Sequence, residues 1–129
     1  MRILIIDDSK YARNLIKSYL LELAKNWDLI EAESGDAGFA ILEKTYQAGG
    51  IVDLILLDWN LPNMLGIEFL KKLKTDAACE AYKDIKVIIV TSDGDKANVI
   101  ESVKSGASGF LVKPVDPDNL KEKIFKLFD

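Results

Sequence analysis

Residues 51–57, Ile51-Val52-Asp53-Leu54-Ile55-Leu56-Leu57, are almost entirely apolar and lead directly into Asp58. A run of this length is typical of a strand buried on both faces, as at the centre of a parallel sheet. Similar short apolar runs predict strands at 2–6, 27–32, 86–90 and 109–112. Helical segments alternate with these strands. The alternation predicts one α/β domain over residues 1–129, with a five-stranded parallel sheet, five helices on its two faces and right-handed crossovers.

The helices are predicted from apolar residues at three- and four-residue spacing and from their start signals. The first helix carries Ala12, Leu15, Ile16, Tyr19, Leu20 and Leu23, and the second starts at Ser34-Gly35-Asp36, before Gly49-Gly50 breaks the chain. The third covers Leu65 to Lys74 with Ile67, Leu70 and Leu73 inward, and the fourth is capped by Asp95 and carries Ile100, Val103 and Ala107. The fifth opens at Asp116-Pro117 and turns Leu120, Ile124 and Leu127 inward.

Polar side chains stand where four of the predicted strands end. The carboxyl ends of parallel strands meet at one edge of an open sheet, where ligands bind. We therefore expect Asp7, Asp8, Asp58, Thr91 and Lys113 to converge on one pocket. Each of them alone is an ordinary turn or surface residue, so the prediction depends on their occurring together.

The chemistry of this set suits a divalent cation and a phosphoryl group. Oxygen ligands and the absence of histidine favour Mg²⁺, with Mn²⁺ as the alternative, over zinc. A carboxylate such as Asp58 can act as the nucleophile in phosphoryl transfer, a reaction that depends on positioning and on neutralising the phosphoryl oxygens. Lys113 and Thr91 offer an ammonium and a hydroxyl for those oxygens.

Four stretches carry a resemblance to a known family: Ile5-Ile6-Asp7-Asp8-Ser9, the run from Leu57 to Gly66, Val90-Thr91-Ser92, and the run from Gly106 to Pro114. In order and spacing they resemble the receiver domain of two-component response regulators, most closely the single-domain CheY-type chemotaxis regulators. The resemblance implies a flavodoxin-like (CheY-like) doubly wound sheet of order 2-1-3-4-5.

The resemblance also implies a role for each site residue. Asp58 would be phosphorylated by a histidine kinase, a phosphotransfer protein or a small phosphodonor. Asp8 would bind Mg²⁺ directly, Asp7 largely through water, and the backbone carbonyl of Asn60 would complete the protein ligands. Lys113 would pair with the phosphoryl oxygens, Thr91 would hydrogen-bond to one of them, and the Lys113–Pro114 bond would be cis.

A switch is the second implication. Phosphorylation would draw Thr91 inward, and Phe110 would move from an exposed to a buried rotamer. Phenylalanine stands where tyrosine is common, so any switch would act through packing alone; a static core aromatic is the alternative. A downstream protein would read the change on helix 4, strand 5 and helix 5. The candidate contacts there are Val99, Val103, Lys123 and Lys126.

Two positions would tune the lifetime of the phosphoryl group. Asn60 and Asp93 lie two residues after Asp58 and Thr91, and in receivers these positions line the path of the hydrolytic water. The domain would thus be a phosphoacceptor with limited self-catalysis. A phosphatase of the haloacid dehalogenase type is the enzyme alternative, but it needs a second aspartate at the Asn60 position.

A flavodoxin is another alternative, but Asp7 and Asp8 stand where its phosphate-binding loop would be and would repel the phosphate. The remaining alternatives are a degenerate receiver used as a scaffold and a receiver cut from a larger regulator with a separate output domain. The bulk composition limits which classes of partner we expect. A net charge of −4 without a basic block argues against direct nucleic-acid binding. The single Cys79 and the short apolar runs predict a cytoplasmic protein without membrane insertion. We expect a monomer.

Overall fold

The structure is a computed structural model that describes residues 1–92 and 96–128. Its strands are β1 (Arg2–Ile6), β2 (Asp28–Ala32), β3 (Leu54–Asp58), β4 (Lys86–Thr91) and β5 (Gly109–Val112). Its helices are α1 (Lys10–Leu23), α2 (Gly35–Gln47), α3 (Gly66–Thr75), α4 (Lys96–Lys104) and α5 (Pro117–Phe128), and a 3₁₀ helix (Ala77–Tyr82) follows α3. The expected cap Asp95 lies outside the described residues.

The five strands form one sheet in the order β2-β1-β3-β4-β5, and every neighbouring pair is parallel. The predicted fold class and strand order are therefore confirmed. Alternate residues of each strand face opposite helical layers. In β1, Ile3 and Ile5 pack with α1 and α5, whereas Leu4 and Ile6 pack with α2 and α3. The largely apolar central strands are buried because helices cover both faces.

The predicted third strand was wrong at its start. It begins at Leu54 rather than Ile51, whose side chain is 59% exposed. The backbone at 51 and 53 bonds to Arg2 instead of continuing a regular ladder: the carbonyl of Ile51 accepts from the Arg2 side chain, and Asp53 N–H donates to the carbonyl of Arg2. An apolar run therefore overstated the length of the strand.

The predicted fourth helix was wrong at its end. It stops at Lys104, and Ala107 lies in the following loop because Gly106 adopts a φ of +104°. The N–H of Gly106 donates to the carbonyl of Val103, and that of Ala107 donates to Ser102, the paired bonds of a Schellman cap. Among the described side chains of α4, Ser102 is buried, whereas Ile100 and Val103 are exposed. Within the described ranges, no helix has the length and apolar character needed to cross a membrane.

Candidate functional site

Asp58 is the last residue of β3 and is 5% exposed. Backbone hydrogen bonds of the next residue, Trp59, to β4 and to the start of α3 fix its position. Trp59 N–H donates to the carbonyl of Val90 on β4, and Gly66 N–H donates to the carbonyl of Trp59 at 2.7 Å. Gly66 packs so closely that a Cβ there would lie 2.4 Å from the backbone oxygen of Asp58. Only glycine fits this contact, so the first turn of α3 is held directly against the aspartate.

Asp7 and Asp8 follow β1 and face Asp58. One carboxylate oxygen from each of the three lies within 4.8 Å of the others. Asp7 is buried and Asp8 is exposed. The N–H of Ser9 donates to Oδ1 of Asp7 at 2.9 Å, and the Ser9 hydroxyl caps α1 by accepting from Ala12. The sequence prediction that these three carboxylates converge is confirmed by this geometry.

Lys113 reaches the same pocket from the end of β5. Its Nζ donates to Oδ2 of Asp7 at 2.9 Å and lies 3.5 Å from Oδ2 of Asp58. Burial lowers the pKa of Lys113, but the hydrogen bond to Asp7 and the charge of Asp58 outweigh burial and raise it overall. The ammonium is therefore held in its charged form between the two buried carboxylates. The following Lys113–Pro114 peptide bond is cis, as the resemblance implied.

The electrostatics of the pocket make the ionised form of Asp58 unfavourable. Burial, followed by the negative charge of Asp7, raises the pKa of Asp58 from 3.8 to about 6. The charge of Lys113 and the Asn60 N–H, which donates to Oδ1 at 3.3 Å, oppose this rise without cancelling it. Like charges crowded at a buried site favour binding of a cation, which relieves the repulsion.

The residues of the expected switch occupy neighbouring strands. Thr91 is buried at the end of β4, and its carbonyl accepts from Lys113 N–H at 2.7 Å. Phe110 on β5 is half-buried, packs against the core and lies beneath the ammonium of Lys123 at 5.7 Å. This is an intermediate placement, neither fully exposed nor fully buried. Asp93 lies outside the described residues.

Sequence reasoning missed one group beside the site. Arg13 on α1 donates from Nη1 to the carbonyl of Asp7 at 2.6 Å and from Nε to Glu31 on β2 at 3.0 Å. Lys17, one turn further along α1, donates to the other oxygen of Glu31 at 3.1 Å. Burial raises the pKa of Glu31, but the hydrogen bonds from Lys17 and Arg13 outweigh burial and lower it overall. Arginine and lysine at four-residue spacing were the only signal, and that pattern is common on exposed helices.

The donor set suits a hard divalent cation. The oxygens of Asp7, Asp8 and Asp58 converge, and two of these carboxylates are buried with the ammonium of Lys113 beside them. Magnesium favours carboxylate oxygens and keeps several waters, which the exposed side of Asp8 would allow. The cluster is thus consistent with a receiver-type Mg²⁺ site.

The fold and this acidic pocket define a class of protein that receives a phosphoryl group on an aspartate. The family model described as "Response regulator receiver domain" matches residues 3–125, and the chain belongs to that family. Members of this class are phosphoacceptor signalling domains rather than enzymes that turn over external substrates.

Several known proteins are similar over nearly the whole chain. A chemotaxis protein CheY homolog of Campylobacter jejuni is 38% identical over 124 residues, which cover 96% of this chain and 89% of that protein. Chemotaxis protein CheY-3 of Vibrio cholerae is 35% identical, covering 100% and 92%. A CheY-like receiver domain structure from Methanospirillum hungatei shares 32% identity with a TM-score of 0.79, covering 98% of this chain and 91% of that one. The predicted family resemblance is confirmed.

Proposed function

We propose that residues 1–129 act as one receiver unit that is phosphorylated on Asp58 with the help of Mg²⁺. The observation that carries this proposal is the convergence of three carboxylates and one ammonium at the carboxyl edge of the sheet. Asp58 is the central member. It ends the most buried strand and is held by contacts on both sides, from β4 and from α3.

The chemical step is a displacement at phosphorus. An ionised oxygen of Asp58 forms a bond to the phosphorus of a phosphohistidine or of a small acyl phosphate. The P–N or P–O bond of the donor breaks, and its electron pair leaves with the imidazole or the carboxylate. The product is an aspartyl phosphate, and attack by water returns the carboxylate and inorganic phosphate. Bound Mg²⁺ would neutralise phosphoryl oxygens and would be held by Asp8, by Asp7 largely through water, and by the carbonyl of Asn60.

Lys113 has two roles in this proposal. In the unphosphorylated chain its ammonium is hydrogen-bonded to Asp7 and lies within 3.5 Å of Asp58. The phosphoryl group on Asp58 carries about −1.5 to −2 charges in place of the single charge of the carboxylate, so the ammonium gains a stronger partner among the phosphoryl oxygens. Thr91 supplies a hydroxyl to another of these oxygens, and Asn60 and Asp93 tune how long the phosphoryl group persists.

The output is a packing change at the sheet edge formed by β4 and β5. Movement of Thr91 toward the phosphoryl group leaves space that the half-buried ring of Phe110 can fill. The surface that responds consists of α4, β5 and α5, where Val103 is exposed and Val99 is half-buried. A downstream protein binds there, with Lys123 and Lys126 of α5 as further contacts.

Family membership implies a histidine kinase as phosphodonor partner. Similarity to the chemotaxis proteins of Campylobacter jejuni and Vibrio cholerae supports a role in chemotaxis, with the flagellar motor as a candidate target. We propose a cytoplasmic monomer without direct nucleic-acid contact. The second candidate function is that of a receiver domain within a larger regulator that has a separate output domain. An aspartate-nucleophile phosphatase is disfavoured because Asn60 stands where its acid/base aspartate would be.

The phosphorylation step is tested with acetyl phosphate. The wild-type chain is expected to incorporate phosphate only when Mg²⁺ is present, and Asp58→Ala is expected to abolish incorporation. Asp84→Ala, an exposed aspartate away from the site, is the matched control and should behave as wild type. Incorporation by Asp58→Ala at the wild-type stoichiometry would reject the assignment.

The output step is tested by amide hydrogen exchange with and without beryllofluoride and Mg²⁺. In the wild type, protection is expected to change in α4 and β5. Thr91→Ala is expected to bind the mimic yet to lose most of this change, because the hydroxyl that links the two regions is missing. The same change in both proteins would contradict the role of Thr91.

A further inference from the structure

Asp7, the first residue of the segment that joins β1 to α1, is held at all of its polar groups. The N–H of Asp7 donates to the carbonyl of Ala32 on β2 at 3.0 Å. Its carboxylate accepts from Ser9 N–H at Oδ1 and from Lys113 at Oδ2. The carbonyl of Asp7 is the remaining group, and it accepts from Nη1 of Arg13 at 2.6 Å.

That carbonyl belongs to the peptide unit that joins Asp7 to Asp8. Because the peptide unit is planar, fixing the direction of its oxygen also fixes the direction in which the chain enters Asp8. Asp8 is exposed, and its carboxylate accepts none of the hydrogen bonds observed among the described residues. The hydrogen bond from Arg13 therefore restrains the peptide unit before Asp8, and the bond from Ser9 N–H to Asp7 restrains the peptide unit after it.

Arg13 can supply this restraint because its guanidinium is itself held. Its side chain is 12% exposed, and its Nε donates to Glu31 on β2 while Nη1 reaches Asp7. Arginine presents its donors in a rigid planar fork, so two partners in different directions fix the whole group. The ammonium of a lysine is a point charge on a flexible stem and cannot reproduce both directions.

We propose that Arg13 is a positioning residue of the magnesium site, acting through the carbonyl of Asp7 to orient the carboxylate of Asp8. This inference rests on the proposed function, since it assigns a residue to the cation site described there. Arg13 touches neither the cation nor the phosphoryl group. Groups that orient metal ligands without touching the metal typically change metal affinity by about 10–100-fold when they are removed.

A cation near a metal site can also act by charge alone. Repulsion of Mg²⁺ by the guanidinium lowers the affinity for Mg²⁺, whereas orientation of the Asp8 carboxylate raises it. If the guanidinium only repels Mg²⁺, its removal tightens binding. If it orients Asp8, its removal weakens binding. Arg13→Lys keeps the charge and loses the fork, whereas Arg13→Met loses both. Lys17→Met is the matched control. It removes the other cation on Glu31, and in the described part of the chain Lys17 has no bond to the Asp7–Asp8 segment.

The experiment is a titration of the full chain with magnesium chloride at constant ionic strength, followed by tryptophan fluorescence. Of the two tryptophans, Trp59 is the neighbour of Asp58 and reports on the site, whereas Trp27 precedes β2. Urea unfolding of each variant provides its stability. Arg13→Lys and Arg13→Met are both expected to bind Mg²⁺ about tenfold more weakly than wild type, near the lower end of the range for such groups. Lys17→Met is expected to bind within about twofold of wild type, because the fork on Asp7 remains.

Three outcomes would overturn the inference: wild-type affinity in Arg13→Lys, tighter binding in Arg13→Met, or an equal loss in Lys17→Met. If Arg13→Met does not fold, the comparison of Arg13→Lys with Lys17→Met decides alone. A wild-type chain that does not respond to Mg²⁺ would reject the proposed magnesium site and this inference together. A wild-type response that no Arg13 variant weakens would reject the inference alone.

Discussion

Replacing Asp58 by asparagine is expected to stabilise the unphosphorylated chain at neutral pH. Burial and the charge of Asp7 raise the pKa of Asp58 from 3.8 to about 6, so the ionised carboxylate opposes folding. A shift of about two units corresponds to about 3 kcal/mol, at about 1.36 kcal/mol per unit. Water at the open side of the pocket screens part of this energy, so we expect a gain of about 1–2 kcal/mol in the free energy of unfolding at pH 7.5.

The sign of the pH dependence follows from the same shift. The native chain holds the Asp58 proton more tightly than the unfolded chain, so its ionisation lowers stability as the pH rises from about 3.8 through about 6. The gain in the free energy of unfolding from Asp58→Asn is therefore largest above pH 7 and disappears near pH 4. Urea unfolding with a chelator at several pH values measures it.

Two controls sharpen this measurement. Asp84→Asn changes an exposed aspartate and should shift stability by no more than about 0.5 kcal/mol. Adding Mg²⁺ should stabilise the wild type more than Asp58→Asn and so narrow the gap between them, because the cation binds to the native carboxylates. An Asp58→Asn protein less stable than wild type at pH 7.5, or a gap that persists unchanged at pH 4, would refute this account of the pocket.

Two further substitutions test the groups that surround Asp58. Lys113→Met leaves two buried carboxylates without their ammonium, so the free energy of unfolding at pH 7.5 should fall by about 1–3 kcal/mol while Mg²⁺ binds more tightly; unchanged stability in urea would show that the ion pairs contribute nothing. Gly66→Ala places a Cβ 2.4 Å from the backbone oxygen of Asp58 and should cost about 1–3 kcal/mol and slow phosphorylation by acetyl phosphate. Gly109→Ala, whose added Cβ would meet no atom closer than 3.9 Å, is the matched control, and an equal loss in both variants would contradict the contact at Asp58.

The sheet and the pocket were predictable from sequence for one physical reason. Parallel strands buried on both faces need continuous apolar runs, and the polar residue that ends each run marks the carboxyl edge of the sheet. The sequence alone therefore predicts that Asp7, Asp58 and Lys113 lie together. The strand order came from the family resemblance, since alternation of strands and helices alone fits more than one order.

The features that sequence reasoning missed depend on contacts between distant segments or on local backbone conformation. The start of β3 was misplaced because Arg2 competes for the backbone near Ile51. The end of α4 was set by the conformation of Gly106, which an apolar pattern does not reveal. The hydrogen bond from Arg13 to Asp7 could not be predicted because an arginine on an amphipathic helix usually faces solvent. The 3₁₀ helix after α3 also carried no periodic signal.

The most direct test of the central claim is to locate the phosphoryl group in the protein. The chain is incubated with acetyl phosphate and Mg²⁺, the acyl phosphate is reduced with borohydride, and the modified residue is identified by mass spectrometry of its peptides. We expect Asp58 to be converted to homoserine only when Mg²⁺ is present, and Asp7 and Asp8 to remain unmodified. Conversion of Asp7 or Asp8 instead, or conversion of Asp58 to the same extent in the presence of a chelator, would contradict the assignment of Asp58 as the phosphorylated residue.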